Sequence, residues 1–212
     1  VTSDFRNIDR GIELAGLKAG SKLLDIGCGQ GDTLAHLVSD LGLTGEGLDI
    51  NLAKVADAKE KHPDLEIKFG DGEFLEDYMS YTFDGVLFEG CLHKINIPDE
   101  ALHEAYCVLK KGGKLIIIDR YEIDPDEKQM DAVRIEAARQ AAIPRKEGDC
   151  EDLGQKFVDF RYEGAFYKDP LIRQVEETGF KVVAFEDVRE EGQGAGDRNI
   201  GRFLLVAAKP VI

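Results

Sequence analysis

Apolar positions along this chain fall into two alternating patterns. Residues Ile8 to Leu17 have the spacing of an amphipathic helix, and Lys22 to Ile26 (KLLDI) is a short apolar run stopped by Gly27, as in a strand buried on both faces. Helical spacing returns at once in Leu34, Leu37, Val38 and Leu41. Gly45 to Ile50 (GEGLDI) predicts a second strand, and Leu52 to Lys61 a helix ended by His62-Pro63. Leu65 to Phe69 and Phe83 to Phe88 predict strands three and four. Pro98-Asp99-Glu100 then opens a helix with Leu102, Ala105, Val108 and Leu109 on one face, closed by the basic and glycine-rich Lys110 to Gly113. Lys114 to Asp119 (KLIIID) is the fifth strand.

Strands separated by helices of this length need right-handed crossovers, so the pattern predicts a doubly wound, mostly parallel α/β sheet. The rhythm breaks after strand five. Tyr121 to Gly164 is polar, helical in part (Asp126 to Ala142) and without a convincing strand, so it reads as a helical insertion over the sheet edge. A helix near Pro170 to Thr178 precedes Phe180 to Glu186 and Arg202 to Ala208, two strands with no crossover helix between them. The last of seven strands is therefore expected to be antiparallel. The loop Arg189 to Gly201 holds four glycines and is expected to move. Residues 1–212 read as one domain, with 120–164 as either a substrate lid or a solvated cap.

Composition narrows the partners. A chain of 212 residues buries roughly 70% of its unfolded surface and needs no disulfide or structural metal. Its formal charge of −15 repels phosphate backbones and anionic lipid, which leaves a small molecule as the expected partner, with no nucleic acid and no membrane. No apolar run approaches the ~18 residues of a membrane span, and the first residues, VTSDFRNIDR, lack a basic start with an apolar stretch, so the expected location is cytoplasmic. Cys28, Cys91, Cys107 and Cys150 stand far apart without metal-ligand spacing and read as reduced thiols, with no metal site.

In such a sheet, ligands bind beyond the carboxyl ends of the strands. The first end is Asp25-Ile26-Gly27-Cys28-Gly29-Gln30-Gly31-Asp32, three alternating glycines bordered by two carboxylates. A dinucleotide fingerprint would need a glycine where Asp32 stands, and carboxylates at this turn suit a positively charged ligand better than a pyrophosphate. Asp49 ends the second strand, where it can accept from ribose hydroxyls. Gly70-Asp71-Gly72-Glu73 ends the third, and Asp71 can accept from an exocyclic amine. A ribose, an adenine and a cation together describe S-adenosylmethionine.

The segments LLDIGCGQG (Leu23 to Gly31), GLDI (Gly47 to Ile50), FGDGE (Phe69 to Glu73), FDGVLFEGCLH (Phe83 to His93) and LKKGGKLIIID (Leu109 to Asp119) resemble, in order and spacing, the class I S-adenosylmethionine-dependent methyltransferases, notably those with a type 11 methyltransferase domain. The resemblance implies a Rossmann-like sheet with an antiparallel final hairpin. It implies that Gly27, Cys28, Gly29 and Gly31 form the loop under the methionine part, that Asp25 orients this loop or the amino group, and that Asp49 with Ile50 serves the ribose side. Asp71, Gly72 and Glu73 would serve the adenine, and Glu89 would contact the amino group or frame the methyl-transfer opening. It further implies direct S_N2 transfer from a sulfonium, with S-adenosylhomocysteine as product. His93 leaves the fourth strand toward the expected opening, and histidine is the residue type suited to a general base at neutral pH. Its alternative is a loop-shaping role. Two other functions fit the same sheet: a nucleotide-dependent oxidoreductase and a non-catalytic S-adenosylmethionine-binding module.

Overall fold

A computed structural model describes residues 4–126, 128, 130–131, 135, 161–162, 164–188 and 199–211. Helix α1, Arg6–Ala15, is followed by β1 (Lys22–Ile26), α2 (Asp32–Ser39), β2 (Thr44–Asp49), α3 (Leu52–Lys61), β3 (Glu66–Phe69), β4 (Phe83–Glu89), α4 (Pro98–Val108) and β5 (Leu109–Glu122). Then come β6 (Arg161–Tyr162), β7 (Ala165–Tyr167), α5 (Lys168–Glu177), β8 (Lys181–Asp187) and β9 (Ile200–Ala208). The strands lie in the order β3-β2-β1-β4-β5-β9-β8, parallel through β5. Strand β9 is antiparallel to both β5 and β8, as expected of the final strand. The order reverses between β1 and β4, which puts the ligand crevice over their carboxyl ends.

Two strands are additional to the expected seven. Strand β5 runs three residues past Asp119, and its last two residues, Tyr121 and Glu122, pair with Phe166 and Tyr167 of β7, which folds back on β6 as a short hairpin. The segment Tyr121 to Gly164 thus begins and ends in strand, against the expectation of none. The reason is burial. Phe166 and Tyr167 are enclosed, and Tyr121 packs edge-on against Phe185 and Phe203. Most of the helix expected over Asp126 to Ala142, most of the loop Arg189 to Gly201, and Cys150 lie outside the described residues; Lys128, Met130, Asp131 and Ile135 within that helix are described and helical.

The end of α4 also differs from expectation. Lys110 to Gly113 do not cap it; they form the start of β5, with an irregular register between Phe83 and Gly85. The carbonyls of Tyr106 and Leu109 instead accept from Nζ of Lys209, a buried cation lying over the Tyr81 and Tyr106 rings. A cap from the far end of the chain carries no local sequence signal.

Helices α4 and α5 cover one face of the sheet through Leu102, Ala105, Leu171 and Val175, while α1 covers the other through Ile8, Ile12 and Ala15 against Ile116, Ile118, Leu204 and Val206. Among the described residues no helix is long and apolar enough to cross a membrane. Helix α1 is also tied to α2 by His36, whose ring stacks on Phe5 and bonds Asp9 through Nε2 at 2.6 Å and Asp40 through Nδ1 at 2.7 Å. Partial burial opposes the charged ring, but the two carboxylates together outweigh it and raise its pKa above 6.5. A raised folded value means stability that is full below 6.5 and lost as pH rises through the folded pKa. His36→Gln should therefore lower the melting temperature most near about pH 6, by less than about 1 kcal/mol because Asp9 and Asp40 are solvated, and progressively less at alkaline pH. A pH-independent deficit in thermal melts would assign the ring a packing role alone.

Candidate active site

The loop after β1 is stitched to β2. The amides of Gly27 and Cys28 both donate to the Leu48 carbonyl, at 2.8 and 3.0 Å, and Gly29 N donates to Asp49 Oδ2 at 2.9 Å. Gly27 has φ +76°, and a Cβ there would lie 2.7 Å from Cys91 Cβ, while one at Gly31 would meet Ile67. Gly29 differs. It too has positive φ, but a Cβ would meet no protein atom within 4 Å.

The strand ends present the expected carboxylates unequally. Asp49 is buried, and its second oxygen accepts from Asn51 N at 2.8 Å. The cap of α3 is Asn51, which accepts from Ala53 and Lys54, so Asp49 does not serve that helix. Ile50 beside it is 62% exposed, an aliphatic face left uncovered at the crevice. Asp71 is half-buried and accepts from Glu73 N, and Gly72 packs on Ile26. Glu73 turns inward, accepting the Ile97 amide at 2.9 Å, so it ties the start of α4 to the end of β3. Asp32, read as part of an acid-rich turn facing a ligand, instead faces α3, bonded to Lys61 at 2.5 Å and His62 at 3.0 Å. The Cys28 thiol is pushed up by burial and by Asp25 and Asp49, which makes it inert.

Asp25 stands apart from these. It is 1% exposed, and its Oδ2 is enclosed without a hydrogen-bond partner. Burial first, then the neighbouring Glu89 and Asp49, push its pKa up to about 8. Glu89 accepts from Thr33 Oγ1 at 2.7 Å, and Arg202 Nη2 lies 3.9 Å from its other oxygen. Three carboxylates thus lie near one another, with Arg202 ion-paired to Glu89 at their edge.

On the other side of Glu89 the chain makes a 3₁₀ turn, Leu92–Lys94. His93, 8% exposed, bonds Asp119 Oδ1 through Nδ1 at 2.6 Å and donates its amide to Asp119 Oδ2 at 3.0 Å. Arg161 of β6 holds the same turn from above, donating to the carbonyls of His93, Ile95 and Asn96. Burial lowers the Arg161 pKa, with Glu73, Asp99 and Asp119 partly compensating. Strand β4 stops at Glu89 while β5 continues, and above that step is a cavity of about 410 Å³ lined by Gly90, His93, Asp119, Arg120, Ile200, Gly201 and Arg202. Its size suits a small organic ligand.

Sequence reasoning named His93 but missed its partner. Asp119 was legible by the rule already applied to Asp25, Asp49 and Asp71, since it too is a carboxylate at the carboxyl end of a parallel strand. Arg202 needed a different rule, because an antiparallel strand presents its first residues, not its last, to the same rim.

A family model described as "Methyltransferase domain" matches residues 17–157, more than half of the chain. Demethylmenaquinone methyltransferase from Renibacterium salmoninarum is 32% identical over 108 residues, covering 51% of this chain and 45% of that relative. The chain thus aligns with about half the length of that curated relative. Among solved structures, the [4+2]-cyclase SpnF superposes over 100% of this chain and 86% of its own with TM-score 0.70 at 20% identity. An S-adenosylmethionine-dependent methyltransferase from Methanosarcina mazei superposes over 92% of this chain and 95% of its own with TM-score 0.63 at 21% identity. Both structural likenesses bear on the fold alone. With the family match, the ordered motifs and the sheet topology in agreement, the chain belongs to the methyltransferase domain family, in the class I S-adenosylmethionine-dependent group.

Proposed function

We propose that this protein transfers the methyl group of S-adenosylmethionine to a small-molecule acceptor by direct displacement. The observation that carries the reading is the enclosed, unpartnered Asp25 carboxyl between Asp49 and Glu89, beside the uncrowded Gly29. A buried carboxyl without a donor costs several kcal/mol, and a cationic ligand group would offset that cost. The remaining contacts follow the strand ends: Asp49 for ribose hydroxyls, the exposed Ile50 side chain for an adenine face, and Asp71 and Gly72 for the adenine edge. Glu73, held by Ile97, acts by shaping this wall. A nucleotide's pyrophosphate would bring negative charge against Asp25 and Glu89, which disfavours the oxidoreductase reading.

When bound, S-adenosylmethionine supplies an electrophilic methyl group on a sulfonium. The protein's part lies on the acceptor. With Nδ1 bound to Asp119, the His93 ring has Nε2 left to accept the acceptor's proton, and Asp119 stabilises the imidazolium that results. Arg161 keeps the turn in place while this happens. The pair also weighs against a non-catalytic module, which has no use for an oriented imidazole beside a cavity. The relatives' name points to a quinone-type acceptor. The lining here sets His93, Asp119, Arg120 and Arg202 around one large aliphatic side chain, Ile200, which favours a polar acceptor.

Calorimetry with S-adenosylmethionine and S-adenosylhomocysteine tests the reading directly. Micromolar-scale affinity, about 8 kcal/mol, is expected for both; a folded protein that binds neither refutes it. Because Asp25 is protonated below about 8 in the free protein and must ionise beside an ammonium, binding should release a proton and tighten as pH rises toward that value. Asp25→Asn should flatten that dependence. Asp49→Ala should weaken binding about tenfold or more through loss of the ribose acceptor and the Gly29 tether, and an unchanged affinity would move the cofactor elsewhere. Once an acceptor is in hand, His93→Gln should lower kcat by about 10²-fold or more with cofactor affinity unchanged, read by steady-state kinetics. Equal kcat in the variant would leave the histidine a purely structural role.

A further inference from the structure

The turn of the β6–β7 hairpin stands against the His93 ring. Strand β4 leaves the edge of β5 at Glu89, opposite Ile118, and β7 takes an edge of β5 at Tyr121 and Glu122. Those two residues pair with β9 on their other side, so β7 occupies the edge that β4 has left, with Asp119 between the two junctions. The register of Arg161 with Phe166 and of Tyr162 with Ala165 joins the hairpin strands through two residues, of which the second is Gly164, at φ +75°. Beyond its chain neighbours, a Cβ on Gly164 would have one atom of the described residues within 4 Å, His93 Cδ2 at 3.8 Å. In imidazole that carbon is bonded to Nε2, the nitrogen left over when Nδ1 bonds Asp119. The hairpin thus presents a residue without a side chain to the reactive edge of the ring. The turn alone does not demand this, because asparagine also supplies a positive φ. Nor is the hairpin free to retreat. Phe166 and Tyr167 are enclosed, and Arg161 is tied to the carbonyls of His93, Ile95 and Asn96.

We propose that Gly164 is a specificity-determining residue for the methyl acceptor: it leaves the approach to His93 Nε2 open, and any side chain in its place narrows that approach. This rests on the methyltransferase reading for the word acceptor, but the open approach itself stands on the hairpin register and the ring. The opening is bounded by backbone on one side and imidazole on the other. A molecule that brings an O–H or N–H proton to Nε2 through it has to be slender next to the reacting atom. The acceptor class that fits carries an unhindered hydroxyl or amine, on a flat ring or an unbranched chain, and substituents flanking that group are refused by the backbone of the turn. Arg161 and Gly164 then divide the work of one hairpin. The first fixes its distance from the ring, and the second keeps that distance usable.

The test is carbethoxylation of the full chain with diethyl pyrocarbonate, which acylates an unprotonated imidazole nitrogen, followed histidine by histidine with peptide mass spectrometry. His103, exposed on α4, is the internal reference. In the native chain His93 is expected to react despite its low exposure. Gly164→Asn should slow that reaction about tenfold while His103 keeps its rate and the melting temperature is unchanged, since asparagine tolerates the turn. Gly164→Ala, with a shorter side chain, should slow it less and lower the melting temperature through the strain of a Cβ at positive φ. His93 labelling at the native rate in folded Gly164→Asn, or in Gly164→Ala where the asparagine variant does not fold, makes the glycine a turn residue alone and overturns the proposal. So does a native chain in which His103 reacts and His93 does not. Calorimetry with S-adenosylhomocysteine, run on the same native chain, keeps the two readings apart. If that ligand does not bind, the methyltransferase reading fails, and the labelling still decides whether the approach to Nε2 runs past Gly164.

Discussion

Both carboxylate oxygens of Asp119 are engaged by His93, one by the ring and one by the backbone amide, and the chain beyond β4 is built on that pair. Asp119 belongs to β5 and His93 to the turn after β4, so the bonds fix where the chain goes after β4 ends. Both groups are nearly excluded from solvent; without Asp119 the His93 ring would lose its Nδ1 partner, whereas without the ring Asp119 would still accept from the His93 and Arg120 amides. The 3₁₀ turn that carries His93 then exposes carbonyls that its own length cannot satisfy, and Arg161 satisfies three of them. That arginine is available only because β5 continues past β4 and offers its last residues to β7. The hairpin, the turn and the oriented histidine therefore stand or fall together.

The crevice over β1 and β2 is held differently, by backbone hydrogen bonds between neighbouring strand ends. Leu48 carbonyl takes two amides from the glycine loop, and Asp49 takes a third from Gly29 and a fourth from Asn51. These bonds close within short reach of β1 and β2, so the loop keeps its form without help from the rest of the chain. Among the described residues there, the Asp25 Oδ2 is enclosed without a donor and the Ile50 side chain stays exposed.

This difference explains what could be read from the residues in order. The β1 to β5 alternation, the antiparallel final strand and the carboxylates at strand ends are properties of short windows, because each strand's burial and each glycine turn is encoded where it occurs. The positions of Asp25, Gly27, Gly29, Asp49 and Asp71 at strand ends and turns were legible for that reason. Asp32 was misread because its ion pairs come from Lys61 and His62, twenty-nine and thirty residues on. The hairpin β6–β7 was missed because two or three residues give no periodicity, and its strand character comes from pairing with β5. Lys209 capping α4, Asp119 orienting His93 and Arg161 holding the turn are long-range pairs of polar groups, for which hydrophobic patterning has no signal.

The same reasoning separates what the fold requires from what a ligand requires. Lys209, His36 and Glu73 are charged or titratable groups in partly or wholly buried places, yet each has partners that account for it: carbonyls and aromatic faces, two carboxylates, and an amide. Asp25 is not accounted for in that way: its Oδ2 is enclosed without a donor, with Glu89 and Asp49 as its charged neighbours. That makes the folded protein less stable than an uncharged replacement would. A cationic group brought against the carboxyl would remove the cost, which is the one physical use such an arrangement has, whereas the cost of each of the other three is already offset by the fold itself.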